Sequence, residues 1–187
     1  LKNILVSAGY INPKPLARLI PYIDAANIDL KSFSDDHYRA INGARLQPVL
    51  DTIAALKKNK IWIEITQLLI PGFNTNEATI KQTIRWLLEH DMNDVPLHYS
   101  RFHPAYQMAD IPPTPSEIVL QACHLAQSMG MKYVYSGNIN NRQFENTNCP
   151  QCQQLLIERN GYRVKIINHD LPFCNKCHHI VAGCFSA

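Results

Sequence analysis

The stretch AANIDLKSF, residues 25–33, decides how the rest of the chain is read. Ala26, Ile28 and Leu30 alternate with Asn27, Asp29 and Lys31. On a β-strand every second side chain shares a face, so one face here is aliphatic and the other carries an amide, a carboxylate and an ammonium. Parallel strands covered by helices on both faces read as apolar throughout. This one has a polar side that must look at something other than a helix.

The same asymmetry recurs outward from it. Strands are expected at 2–7 (KNILVS), 61–69 (IWIEITQLL), 97–102 (LHYSRF) and 132–136 (KYVYS), with helices near 13–23, 46–59, across Ile80–Leu88, and from the TPSE segment (114–117) to Gly130. Ser34 is placed to cap a short helix whose first turn holds Asp35 and Asp36, and Thr114 to cap the last helix. Trp62, Glu64 and Thr66 share one face of their strand, and His98 and Ser100 one face of theirs. Strands separated by helices imply repeated βαβ units and a parallel sheet. Helices on one face and polar groups on the other fit an open (β/α) barrel with a wet or ligand-filled interior. The alternative is a doubly wound sheet, but neither G-x-G-x-x-G nor a P-loop pattern occurs.

In parallel barrels chemistry sits at the carboxyl ends of the strands. Those ends read SAGY (7–10), DLKS (29–32), LLIPGF (68–73), SRFHP (100–104) and SGN (136–138). Asp29 and Lys31 thus look into a barrel mouth; the plain alternative is that they only pair with each other. Cys123, on an apolar helix face, reads as a small buried hydrophobe.

After about residue 140 the texture changes, which divides the chain into 1–140 and 141–187. The segment NINNRQFENTN (138–148) is polar, aperiodic and linker-like. Two C-x-x-C pairs follow, Cys149/Cys152 and Cys174/Cys177, with 21 residues (153–173) between them and a turn expected at Asn160-Gly161. That spacing marks a tetrathiolate metal site of the zinc-ribbon kind, although four-cysteine sites also accept iron–sulfur chemistry. About 40 residues cannot fold on core burial alone, so the metal's first role is structural. His169, His178 and His179 lie nearby, but four thiolates already fill a tetrahedron. Arg159, Arg163 and Lys165 form a small basic patch on the hairpin, read as a solvated face because no stacking series accompanies it.

Free thiols in such pairs point to a reducing compartment, the cytoplasm. No apolar run approaches the roughly 20 residues of a membrane helix. A net charge of +3 gives no electrostatic case for a nucleic-acid or membrane partner.

Taken in order, VSAGY, ANIDLKSFSDDHYR, TQLLIPGFN, HYSRFHPAY, YVYSGN and CPQC…CNKC resemble the carboxyl-terminal half of a radical SAM protein. The resemblance is to the proteins related to pyruvate formate-lyase activating enzymes, most of all the radical SAM member of the AmmeMemoRadiSam system. It implies a partial (β/α) TIM-type barrel, followed here by the zinc-ribbon-like module. It also implies an oxidoreductase-type enzyme binding S-adenosylmethionine and a 4Fe–4S cluster, whose reduced form cleaves the sulfonium to a hydrogen-abstracting 5′-deoxyadenosyl radical. A glycyl-radical-activating role, a protein substrate, and an electron donor such as flavodoxin or ferredoxin follow by the same analogy. The family's DLK motif matches Asp29 and Lys31, which would meet the methionine zwitterion. His103 matches a histidine that approaches the cofactor, and Ser7 and Gly9 match a strand-end T/S-N-G stretch in which Ala8 replaces the usual Asn.

One departure is large. The cluster-binding C-x-x-x-C-x-x-C spacing does not occur in these residues, although three iron ligands are required. The chain is therefore expected to be a piece of a longer protein, inactive alone, with the cluster ligands upstream. Two other functions compete: a non-catalytic zinc-ribbon binding or scaffold protein, and a barrel enzyme acting on a phosphorylated metabolite. The late glycine-rich phosphate loop of such barrels is not evident.

Overall fold

The computed structural model describes residues 1–139 and 142–185. Five strands, β1 (Ile4–Ser7), β2 (Ala25–Asp29), β3 (Trp62–Leu69), β4 (Leu97–Arg101) and β5 (Val134–Gly137), form one sheet. Every neighbouring pair is parallel and the order is β1-β2-β3-β4-β5. A doubly wound sheet reverses its strand order at a switch point. This one does not reverse, so its crossovers all stack on one side, as in a segment of a β/α barrel.

The crossovers carry α1 (Pro13–Leu19), α2 (Asp35–His37), α3 (Leu46–Lys58), α4 (Glu77–Glu89) and α5 (Ser116–Met129). Local chemistry sets their ends. The Ser34 hydroxyl accepts from the His37 N–H, Asn76 caps α4 through Thr79, and Gly130 at φ +112° ends α5 in the left-handed region. Thr114 departs from the expectation. It does not cap α5; its buried hydroxyl donates to the Leu69 carbonyl at 2.5 Å and ties the segment before α5 to the end of β3.

The core lies between helices and sheet. Ile28, Ile63, Ile65, Leu69 and Leu97 project to the helix side and are buried against Ile53, Ile84, Val119 and Ala126. Gln67, Tyr99 and Ser136 form a registered row across β3, β4 and β5. The side-chain polar atoms of these three are buried and have no hydrogen-bond partner among the described residues.

The second sheet is antiparallel: β6 (Thr147–Asn148), β7 (Leu155–Asn160) and β8 (Arg163–Ile166). The hairpin turn falls at Gly161-Tyr162, one residue later than expected, with Gly161 at φ +57°. Glycine at the first central position suits a two-residue hairpin. Residues 140 and 141 of the polar segment before β6 lie outside the described residues. Residues 142–144 form a 3-10 turn, and Phe144 is 1% exposed within the barrel core.

Candidate active site and metal centre

The carboxyl end of β2 is held from several sides. The backbone N–H of Lys31 donates to the Tyr38 hydroxyl at 3.0 Å, and its carbonyl accepts from Asn74 Nδ2 at 2.7 Å. Asn74 is buried; the same nitrogen donates to the Leu68 carbonyl, and its Oδ1 accepts from the Ile70 N–H at 2.6 Å. One side chain therefore clamps the turn after β3 onto the chain after β2. Lys31 Nζ lies 2.6 Å from Asp29 Oδ2, and both side chains are about a third exposed. Asp29 is registered with Thr66, and that row continues to His98 and Tyr135 on the inner face of the sheet, away from the helices.

The other mouth positions behave differently. Ser7 is registered with the buried Ile28, and its Oγ accepts from the Gly9 N–H at 3.1 Å. Gly9 has φ +71°, and a Cβ there would stand 2.8 Å from Ile28 Cγ2 and 3.1 Å from Val49 Cγ1. Its missing side chain is thus required by the protein's own packing. His103 is exposed in the segment after β4. The structure joins Asp29 to Lys31 and Ser7 to Gly9, but neither pair to His103.

Deeper on the inner face a polar network crosses β2 to β5. Thr66 donates to Asn27 Oδ1 at 3.0 Å and Trp62 Nε1 to Glu64 Oε1 at 3.3 Å. Glu64 Oε2 meets His98 Nε2 at 2.8 Å. The hydrogen bond from His98 holds the Glu64 carboxyl below the usual range, against the opposing effect of burial. His98 stacks on Tyr135 with ring centroids 5.0 Å apart. The Tyr135 hydroxyl meets Thr147 Oγ1 at 2.8 Å, to which Arg159 also donates at 2.7 Å while its guanidinium lies 5.6 Å from the Tyr135 ring. Arg159 is therefore no part of an outward basic patch; it turns in from β7. A cleft of about 560 Å³ opens here between the two sheets, with Trp62, Glu64, His98, Tyr135 and Arg159 on its walls.

The four cysteines converge. Their sulfurs all lie within 4.8 Å of one another, with Cys149–Cys177 at 3.6 Å and Cys152–Cys174 at 3.7 Å. Two matching knuckles bring them there. The Cys149 N–H donates to the Gln154 carbonyl and the Gln153 N–H to the Cys149 carbonyl; the Cys174 N–H pairs with His179 and the His178 N–H with Cys174 in the same way. Gln153 and His178 occupy equivalent places, at φ +59° and +58°. Burial opposes ionisation of Cys174, but backbone N–H groups of Cys177 and Lys176 hold its thiol below the ordinary value.

Sequence periodicity puts Trp62, Glu64, Thr66 and His98 on the polar face without giving them a joint role. Asn74 escapes it altogether, and Arg159 is read there as an outward cation. Only the asparagine two residues beyond Gly72 in TQLLIPGFN hints at the first, and nothing local signals the inward turn of the second.

These features define a class: a parallel half-barrel with a charged pair at the mouth, a polar inner face, and a tetrathiolate unit closing one side. A family model described as the Radical SAM superfamily matches residues 2–87. Over 169 residues the chain is 43% identical to an uncharacterised protein of Methanocaldococcus jannaschii, covering 90% of this chain and 50% of the relative. The chain thus spans about half the length of the curated relative it matches. Among solved structures it is similar to a domain of pyruvate-formate lyase-activating enzyme from Bacteroides vulgatus, with a TM-score of 0.60 and 15% identity over 74% of this chain and 82% of that one. A radical SAM methyltransferase from Sphaerobacter thermophilus gives 0.58 and 13% over 81% and 43%. Streptococcus suis SuiB bound to S-adenosylmethionine gives 0.57 and 8% over 74% and 33%. These structural likenesses show the fold.

Proposed function

We propose that residues 1–187 belong to a radical SAM enzyme of the oxidoreductase type, related to the activating enzymes and to the radical SAM member of the AmmeMemoRadiSam system. The single observation that carries this reading is the Asp29–Lys31 pair on the inner face, at the carboxyl end of β2, within the residues that match the superfamily model. An amino-acid zwitterion needs an acceptor for its ammonium and a cation for its carboxylate, and this pair offers both from one strand end. When bound, S-adenosylmethionine and a reduced 4Fe–4S cluster supply a 5′-deoxyadenosyl radical for hydrogen abstraction. The residues of this chain do the holding. Asp29 and Lys31 take the methionine moiety, and Ser7, Gly9 and His103 are the further positions that the resemblance assigns to cofactor binding. Asn74 and Tyr38 fix the Lys31 backbone so that its side chain starts from one place.

For the 141–187 unit the sulfur separations support one metal ion. A tetrahedron of thiolates about 2.3 Å from a metal puts its sulfurs about 3.8 Å apart, close to the 3.6 and 3.7 Å found. A cluster would spread its cysteines further. Zinc as a structural ion fits best, in a cytoplasmic protein with a flavodoxin- or ferredoxin-type donor serving the separate cluster.

The test is titration calorimetry of S-adenosylmethionine into the anaerobically reconstituted full-length protein. Lys31→Ala should weaken binding by about 1.5–3 kcal/mol, as for a lost charged hydrogen bond, and leave the melting temperature in place. If the pair is only a structural bridge, the mutant loses stability and keeps its affinity, and the assignment falls. A non-catalytic binding or scaffold role is the second reading, and the exposed β8 strand favours it. Absence of any S-adenosylmethionine binding would select it.

A further inference from the structure

All four residues of β8 are exposed. Among the described residues only β7 pairs with it, so its other side is a free sheet edge. The direction of that edge follows from the ladder. Antiparallel residues alternate between bonding their partner and facing away. The N–H of Ile167 bonds inward to the Leu156 carbonyl, so Arg163 and Lys165 also bond inward, and the N–H and C=O of Val164 and Ile166 point outward. The two faces of β8 differ in chemistry. Val164 and Ile166, 60% and 50% exposed, are registered with Arg159 and Ile157, which line the cleft. Arg163 and Lys165 occupy the opposite face, and neither has an ion pair among the described residues.

We propose that this edge takes up an extended acidic polypeptide segment as a fourth strand of the small sheet, and so brings a polypeptide substrate to the cleft. The substrate role rests on the enzyme reading above; the binding does not. The geometry selects the occupant. A guest strand uses the outward N–H and C=O groups, sets every second side chain against Val164 and Ile166, and sets the others against Arg163 and Lys165. It must therefore alternate aliphatic and acidic residues. A second copy of β8 would place cations beside cations. Nucleic acid has no use for a row of outward backbone groups backed by aliphatics. Because Val164 and Ile166 share a face with Ile157 and Arg159, which line the cleft, a segment bound there sets its aliphatic side chains on the cleft-side face of the small sheet.

The probe is a fluorescein-labelled Glu-Val-Glu-Val-Glu-Val peptide, read by anisotropy against the zinc-loaded 187-residue chain. Saturable binding is expected, at least about tenfold tighter than that of the Lys-Val counterpart. Val164→Pro removes one outward donor and leaves the β7 ladder whole. It should weaken binding about tenfold, and Arg163→Glu with Lys165→Glu should do the same, at unchanged zinc content and melting temperature. Equal binding of the Lys-Val peptide, insensitivity to Val164→Pro, displacement by a single-stranded oligonucleotide, or a dimer that Val164→Pro dissolves would each overturn the proposal. So would an absence of saturable binding. The S-adenosylmethionine titration is independent of the peptide: its failure removes the substrate role and leaves the edge-binding result standing.

Discussion

Asn74 does more for the site than any charged residue near it, because it satisfies backbone groups of two strand ends at once. Asn74→Ala leaves the Ile70 N–H and the Lys31 and Leu68 carbonyls without that partner, at an expected cost of about 2–4 kcal/mol by urea unfolding. On the function proposed above, S-adenosylmethionine affinity should fall with it, because Lys31 loses its anchor. Gly9 is under a different constraint. Gly9→Ala combines a left-handed backbone with a Cβ driven into Ile28 and Val49, and should cost about 1–3 kcal/mol in the same measurement. Glu64 answers to pH. Its folded-state pKa lies below the ordinary value of 4.5, first through the His98 hydrogen bond, with Trp62 and Arg159 adding to the lowering. A depressed carboxyl stabilises the fold above its unfolded pKa and loses that contribution as pH falls through the folded value. The acid limb of stability against pH should therefore flatten in Glu64→Gln.

At the scale of elements, the two knuckles repeat one backbone pattern, including a left-handed residue that is not glycine at either place. His178→Gly should keep the metal and hold or raise stability, up to about 1 kcal/mol; loss of metal would make the imidazole a ligand after all. The thiols sort by element too. Cys123 on α5 is fully buried, its pKa pushed up to about 12 by that burial, while Cys184 is exposed. With metal bound, iodoacetamide should modify Cys184 first and Cys123 only on unfolding, as read by mass spectrometry.

In the whole molecule the tetrathiolate unit is tied to the barrel by more than chain continuity. The Ala182 N–H donates to the Tyr133 hydroxyl, Arg159 covers Tyr135, and Phe144 packs in the barrel core. Chelating the metal should free this wall while the five-stranded sheet persists. Limited proteolysis should then cut within 141–187 before it cuts anywhere in 1–139, and the metal-loaded protein should resist at the same sites. Cleavage inside α3 first would mean that the metal unit carries little of the fold.

Element order, the parallel sheet and the pairing of four cysteines are legible in the sequence, because each rests on a short-range pattern. Apolar alternation sets which face of a strand is buried, caps set helix ends, and C-x-x-C spacing sets a knuckle. The polar row Asn27, Asp29, Glu64, Thr66 and His98 can be placed on one face for the same reason. Its partners cannot. That Glu64 meets His98 across 34 positions, that Asn74 reaches back 43 positions to Lys31, and that Arg159 turns in to Tyr135 all depend on strand register and on how the hairpin closes. The place of Phe144 is hidden for the same cause: nothing local distinguishes an exposed phenylalanine in a polar segment from one packed in the core. Sequence periodicity decides which face a side chain takes, and only the packed structure decides what stands opposite.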